Sequence, residues 1–171
     1  METWDAIRAR RNVRQYSDRP ISPGDLDRIL EAGRRSPSSM NEQRWDFVVC
    51  TDRALLQELA KVWRSAGHVA TSAATIAVTA PETDDATTRE SIEFDLGQAT
   101  VSMMLVAADL GIGSGHAAVQ DQDLARRLLG HPDDRRCALL IALGYPADRP
   151  LRPIERPSRR PFDQVVHRDR W

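Results

Sequence analysis

The stretch "ATVSMMLVAADLG", residues 99–111, is apolar nearly all the way round a helical wheel. A surface helix of a small protein carries its apolar side chains on one stripe and its charges on the other. This stretch has one charge, Asp109, so it predicts a helix covered on every side. The cover is either the rest of its own fold or a second subunit. In a chain of 171 residues the second subunit is the more economical source. The helix is expected over about 88–110, entered from the polar segment "PETDDATTRE" (81–90).

Upstream, "ATIAVTAP" (74–81) has the branched, continuous apolar character of a buried strand, and "WDFVVCT" (45–51) alternates like another. Between them a helix is expected from about Asp52 to Trp63, with Leu55, Leu56, Leu59 and Val62 inward. "ISPGDLDRILEAGRRSP" (21–37) carries a full set of helix signals: Ser22 to cap, Pro23 in the first turn, Asp25 three residues after the cap, and a stripe of Leu26, Ile29 and Leu30. Pro37 stops it. At the start of the chain, Trp4 and Ile7 mark the apolar side of a short first helix.

Downstream, "LGIGSGHAAV" (110–119) reads as a glycine-rich turn into a strand or strand-like loop. "DQDLARRLLG" (121–130) reads as a short helix stopped by Gly130, and "CALLIALGYP" (137–146) as a buried strand. The final residues, from about 146 to 171, hold Pro150, Pro153, Pro157 and Pro161 among arginines and predict an extended arm. Strands interleaved with helices, with no repeat and no linker, predict one α+β or α/β domain over residues 1–171.

Composition removes several classes. The 24 basic and 25 acidic residues leave a net charge of −1, and a protein that grips nucleic acid through phosphates carries a basic excess. No stretch approaches the roughly 18 apolar residues of a membrane span, and the N-terminus has no signal core, so a cytoplasmic protein is expected. Cys50 and Cys137 sit in apolar runs and are expected as buried thiols. The four histidines have no metal-ligand spacing, so no metal site is expected. No nucleophile elbow, phosphate loop or dinucleotide fingerprint is present. "GIGSG" (111–115) follows a helix rather than a strand, against a dinucleotide-binding reading. That pattern of absences points toward chemistry carried by a cofactor.

Two clusters could hold one. "RARRNVRQY" (8–16) packs four arginines into nine residues, and with the arginine-rich arm it could clamp a phosphate by forked guanidinium contacts. A solvated charged surface is the alternative for each arginine taken singly. "RRSPSSMNEQRWDFVV" (34–49) offers small polar groups between a helix and a strand, fit either for an ordinary turn or for hydrogen bonds to a planar polar ring.

Four blocks, in order, resemble the FMN-dependent nitroreductase family of NAD(P)H oxidoreductases: "IRARRNVRQYSDRPI", "ILEAGRRSPSSMNEQRWDFVV", "DLGQATVSMMLVAADLGIGSG" and "RRPFDQVVHRDRW". The second and fourth are the most specific. The resemblance implies a nitroreductase-like α+β fold, with a central, mostly antiparallel sheet flanked by helices, in an intertwined homodimer that binds FMN at the subunit interface. It implies that Arg10, Arg11 and Asn12 hold the phosphate and ribityl end, with Arg14 beside the pyrimidine as an electrostatic stabiliser. Arg159 and Arg160 would reach the phosphate from the arm, leaving Arg8 as solvated helix surface. Pro37, Ser38, Ser39 and Asn41 would line the flavin from the partner subunit, and the backbone of Ala117, Ala118 and Val119 would lie near its reactive nitrogen. Arg44 stands where the family usually has proline, and His116 where an aromatic is common, so both are candidates for contact with substrate. The implied activity is ping-pong hydride transfer from NADH or NADPH to a nitroaromatic, quinone or similar small acceptor, with no side chain acting as the catalyst. The alternative is a flavin-binding or flavin-sequestering protein with little turnover.

Overall fold

The structure, a computed structural model, describes residues 1–171. Five helices and four strands follow in the order α1 (Thr3–Ala9), α2 (Pro23–Arg34), β1 (Asp46–Cys50), α3 (Arg53–Leu59), β2 (Ala74–Pro81), α4 (Ala86–Asp109), β3 (Gly113–Ala118), α5 (Gln122–Leu129) and β4 (Arg135–Gly144). The strands form one antiparallel sheet in the order β1-β2-β4-β3. The expected α+β architecture with an antiparallel sheet is what the chain adopts.

Side chains leave alternate faces of a strand, so each central strand feeds two cores. Ile76, Val78, Ile141 and Leu143 meet Ile29 of α2 and Leu96, Ala99, Met103 and Ala107 of α4. Ala77, Leu140 and Ala142 point the other way, toward Leu56 and Leu59 of α3, Val69 and Ala125 of α5. The result is a helix–sheet–helix sandwich, with each fully buried Leu or Ile contributing about 1.5–3 kcal/mol. Cys50 and Cys137 lie in the second core, where burial pushes their thiols up to about 11 and about 12. They are packing groups, neutral at ordinary pH.

Local signals decide most boundaries. Ser22 Oγ accepts the Asp25 amide at 3.1 Å, Asp52 accepts that of Leu55 and Asp121 that of Leu124. Gly111 and Gly130 close α4 and α5 with φ of 73° and 68°, a left-handed turn that glycine takes without penalty. Asp85 accepts the Thr88 amide, so α4 starts at Ala86 and the latter half of the expected polar segment is helical.

Two expectations need correction. Helix α3 ends at Leu59, not near Trp63, and Leu55 is only half-buried. The carbonyl of Val62 accepts the amides of Gln120 and Asp121 (3.1 and 3.0 Å), a tertiary pairing that replaces the helical one. In α1 the buried residues are Ala6 and Ala9, while Trp4 and Ile7 are exposed. Helix α4 is covered by its own chain on one side only, and the expected second-subunit cover would fall on the other. Its buried stripe is Ile92, Asp95, Leu96, Ala99, Met103 and Ala107. On the other side Phe94 is 67% exposed and Val101 44%, with Gly97 open between them and α1 packed against the same helix.

Candidate functional site

Of the arginine run only Arg8 stands on a helix, in the last turn of α1. After α1 ends, residues 12–16 lie along β3: Asn12 bridges Ser114 in parallel, and the Val13 amide donates to the Ser114 carbonyl at 2.9 Å. Val13 and Tyr16 turn inward, with Tyr16 Oη donating to the Val13 carbonyl (2.8 Å) and lying 3.2 Å from that of Ala142. Three glycines make room. A Cβ on Gly113 would stand 2.6 Å from Val13, one on Gly144 2.7 Å from Tyr16, and one on Gly115 2.4 Å from the Val13 carbonyl oxygen. Gly113 and Gly115 of "GIGSG" therefore serve close packing, while Gly111 supplies the left-handed turn that ends α4.

The arm returns antiparallel along the same run. Tyr16 bridges Pro146, the Ala147 amide donates to the Gln15 carbonyl (3.0 Å), and the Ile154 amide donates to that of Arg8 (3.1 Å). This companion strand divides the four arginines. Arg11 Nη2 donates to Asp148 (2.9 Å) and to the Arg149 carbonyl (2.8 Å), so the arm holds one edge of its guanidinium. Arg8, expected as solvated surface, pairs instead with Glu155 at 3.1 Å. Arg10 has only Asn12 Oδ1 at 3.4 Å, and Arg14 has neither hydrogen bond nor ion pair. Two cations thus stay free on a rigid backing.

Beside Arg14 opens a shallow cleft of roughly 590 Å³, lined also by Gln15, Arg64, Ser65, His68 and Thr71. His68, on the 3-10 turn Gly67–Thr71, is the polar residue that the sequence reading missed. It is 8% exposed, with Nε2 3.4 Å from the Gly115 carbonyl and Nδ1 buried without a partner. Burial, with Arg14 and His116 adding to it, pushes its pKa below the usual 6.5 despite backbone hydrogen bonds that oppose the shift. The imidazole is held neutral. The unfolded chain therefore binds the proton first, and this contribution to stability is present above pH about 6.5 and lost as pH falls through the folded value. A series of melts from pH 7.5 to 5 should show Tm dropping below pH about 6.5, and His68→Gln should flatten that drop.

The "SPSSMNEQ" connection between α2 and β1 is a tight polar turn. Pro37 is exposed, Ser38 leads into a 3-10 turn at Ser39–Asn41, and Ser38 Oγ accepts the Gln43 amide (3.0 Å). Ser39 faces inward to Asp95 of α4, whereas Asn41 is exposed. Arg44 pairs with Glu42 and His116 is exposed on β3. Ala117 is buried, Ala118 exposed at the end of β3, and Val119 half-buried beyond it. Arg159 and Arg160 are not brought to the N-terminal run. They bond to the carbonyls of Ser158 and Gln164 in a segment exposed from Glu155 to Trp171.

Comparison with known proteins decides the lineage. The Nitroreductase family profile matches residues 7–90. An Archaeoglobus fulgidus protein, provisionally named NADH dehydrogenase/NAD(P)H nitroreductase, is 32% identical over 174 residues and covers 99% of both chains. The chain belongs to the nitroreductase family. Within that family the fold is shared widely. An FMN-dependent nitroreductase from Clostridium difficile superposes with a TM-score of 0.84 at 21% identity, covering 97% of this chain and 98% of that chain. The NADPH:FMN oxidoreductase of Vibrio harveyi, solved with NAD+, gives 0.84 at 23% identity and covers 97% and 76% respectively. No helix of this family member is long and apolar enough to cross a membrane.

Proposed function

We propose that this nitroreductase-family chain is an FMN-dependent NAD(P)H oxidoreductase that reduces a small electron-poor acceptor, such as a nitroaromatic or a quinone, by a ping-pong exchange. The observation that carries the reading is the division of the arginines: Arg8 and Arg11 are neutralised by the arm, while Arg10 and Arg14 stand free on one glycine-backed run. Free cations held rigidly are what a phosphate and an anionic ring require.

On this reading Arg10 and Asn12 hold the phosphate end, while Arg14 places positive charge beside the pyrimidine. Bound FMN supplies the capacity to accept a hydride and pass it on. Ala117, Ala118 and Val119 close the edge where β3 ends. Arg44 and His116 stand where an acceptor would pass.

A second copy of the chain completes the site. The sheet edge at β1 has no neighbour on its outer side, and the arm beyond Glu155 exposes Phe162, Val165, Val166 and Trp171. The open face of α4 supplies Phe94 and Val101. Apolar groups in such number on one small chain mark an interface. In an intertwined homodimer the arm carries Arg159 and Arg160 to the phosphate, and Pro37, Ser38, Ser39 and Asn41 line the partner's flavin.

The test is purification and titration. Protein that binds FMN, bleaches with NADH or NADPH under anaerobic conditions and recolours with a nitro compound supports the reading. Bleaching without recolouring by any acceptor favours flavin storage, and refusal of FMN ends both. Arg10→Ala should weaken FMN binding by about 10- to 100-fold, as loss of one charge-assisted hydrogen bond does. Arg159→Ala should act in the same direction, and both proteins should stay folded.

A further inference from the structure

The sharpest polar contact outside the arginine run joins α4 to the connection before β1. Asp95 is 1% exposed in the middle of a helix whose buried neighbours are all apolar. Its two oxygens accept the Ser39 amide at 3.1 and 3.0 Å, and Oδ1 accepts the Ser39 hydroxyl at 3.3 Å. One turn further along α4, the Gln98 carbonyl lies 3.5 Å from the Ser36 hydroxyl. The segment held in this way is strained. Met40, Asn41 and Gln43 have φ of 51°, 58° and 50°, conformations that non-glycine residues adopt only when their surroundings impose them.

We propose that Asp95 is a positioning residue for the cofactor site, holding the Pro37–Asn41 turn in the one geometry that faces the flavin. The inference rests on the FMN reading above and extends it. A carboxylate buried among apolar side chains is tolerated only where it is fully used, and here every close partner it has belongs to Ser39. Asp95 also sits next to Phe94, which emerges on the open face of the same helix. Subunit docking on that face and the shape of the turn are thereby set by one rigid element.

The experiment compares wild type, Asp95→Asn and Ser39→Ala in two assays. In the first, FMN affinity is measured by fluorescence quenching well below each Tm. Asp95→Asn, which turns an amide N–H toward the Ser39 N–H, should weaken binding at least about tenfold, and Ser39→Ala about threefold. A carboxylate with only a structural role would lower Tm and leave affinity within about twofold; that result overturns the proposal. Should Asp95→Asn not accumulate as folded protein, Ser39→Ala decides alone by the same criterion. In the second assay, apo protein is digested with trypsin, and cleavage after Arg44 should be about tenfold faster in Asp95→Asn. An unchanged rate overturns the clamp even where wild type takes up no FMN. Failure of wild type to bind FMN overturns the site reading on its own.

Mixed dimers supply the readout that a general loss of stability would not reproduce. Because the turn lines the partner's flavin on this reading, a dimer of one Asp95→Asn and one Arg10→Ala subunit keeps one intact site. Flavin bound at wild-type affinity by about half the sites is expected. No high-affinity site in the mixed dimer overturns the assignment.

Discussion

Val101→Arg should leave the protein monomeric and without bound flavin. Val101 lies outside both apolar cores, so the monomer should fold, and a long cation there is harmless in water. At the twofold seam proposed above, the same substitution places two cations on one apolar patch together with Phe94 and the bare backbone of Gly97. An uncompensated buried charge costs about 3–5 kcal/mol, so a pair of them should raise the dimer dissociation constant by at least about a thousandfold. Sedimentation at micromolar concentration reads the first effect, and absorbance of the purified protein reads the second. Val101→Ala, which only trims the contact, should stay dimeric and yellow. A dimeric, flavin-loaded Val101→Arg protein would place the seam on another face.

Gly115→Ala should be the most damaging single methyl group in the chain. The new Cβ would lie 2.4 Å from the Val13 carbonyl oxygen, which is backbone and cannot rotate away, with His68 Nε2 and Tyr16 Oη each at 3.2 Å. Relief requires residues 12–16 to lift from β3, breaking the Val13–Ser114 hydrogen bond and moving Arg14. Overpacking of this kind costs about 3 kcal/mol, which for a chain of this length lowers Tm by roughly 6–12 °C. FMN affinity should fall with it. Gly24→Ala is the control, since nothing stands within 4 Å of its Cβ position and Tm should hardly change. Equal Tm values for the two variants would mean that the run is not seated on β3 as described.

The parts of this fold that local chemistry decides were readable in advance. Ser22, Pro23 and Asp25 mark the start of α2, Gly130 the end of α5, and continuous branched runs mark β2 and β4. What depended on distant partners was not. Beyond α3 the Val62 carbonyl is taken by Gln120 and Asp121, and no local signal announces that pairing. The roles of Arg8 and Arg11 depend on Asp148 and Glu155, more than 130 residues away. Arginines that look equivalent in "RARRNVRQY" separate only when the arm is laid beside them.

Asp95 is different, because its signal was present. It continues the buried spacing of α4 backward from Met103 and Ala99 in steps of four, which puts its carboxylate on the inward face. The all-round apolar reading covered only residues 99–111 and so set no inward face to carry back to Asp95. His68 had no comparable signal. Its burial comes from a 3-10 turn in a segment without hydrophobic period, and its cleft exists only where that turn meets Arg14.

The seating of residues 12–16 also bears on engineering. Their amides and inward side chains are matched to the missing side chains of Gly113, Gly115 and Gly144, and their flank to the carboxylates of Asp148 and Glu155. The run is therefore not a portable cassette. Grafting it onto another scaffold to change ligand preference would require carrying over β3, the end of β4 and the first ten residues of the arm as one block.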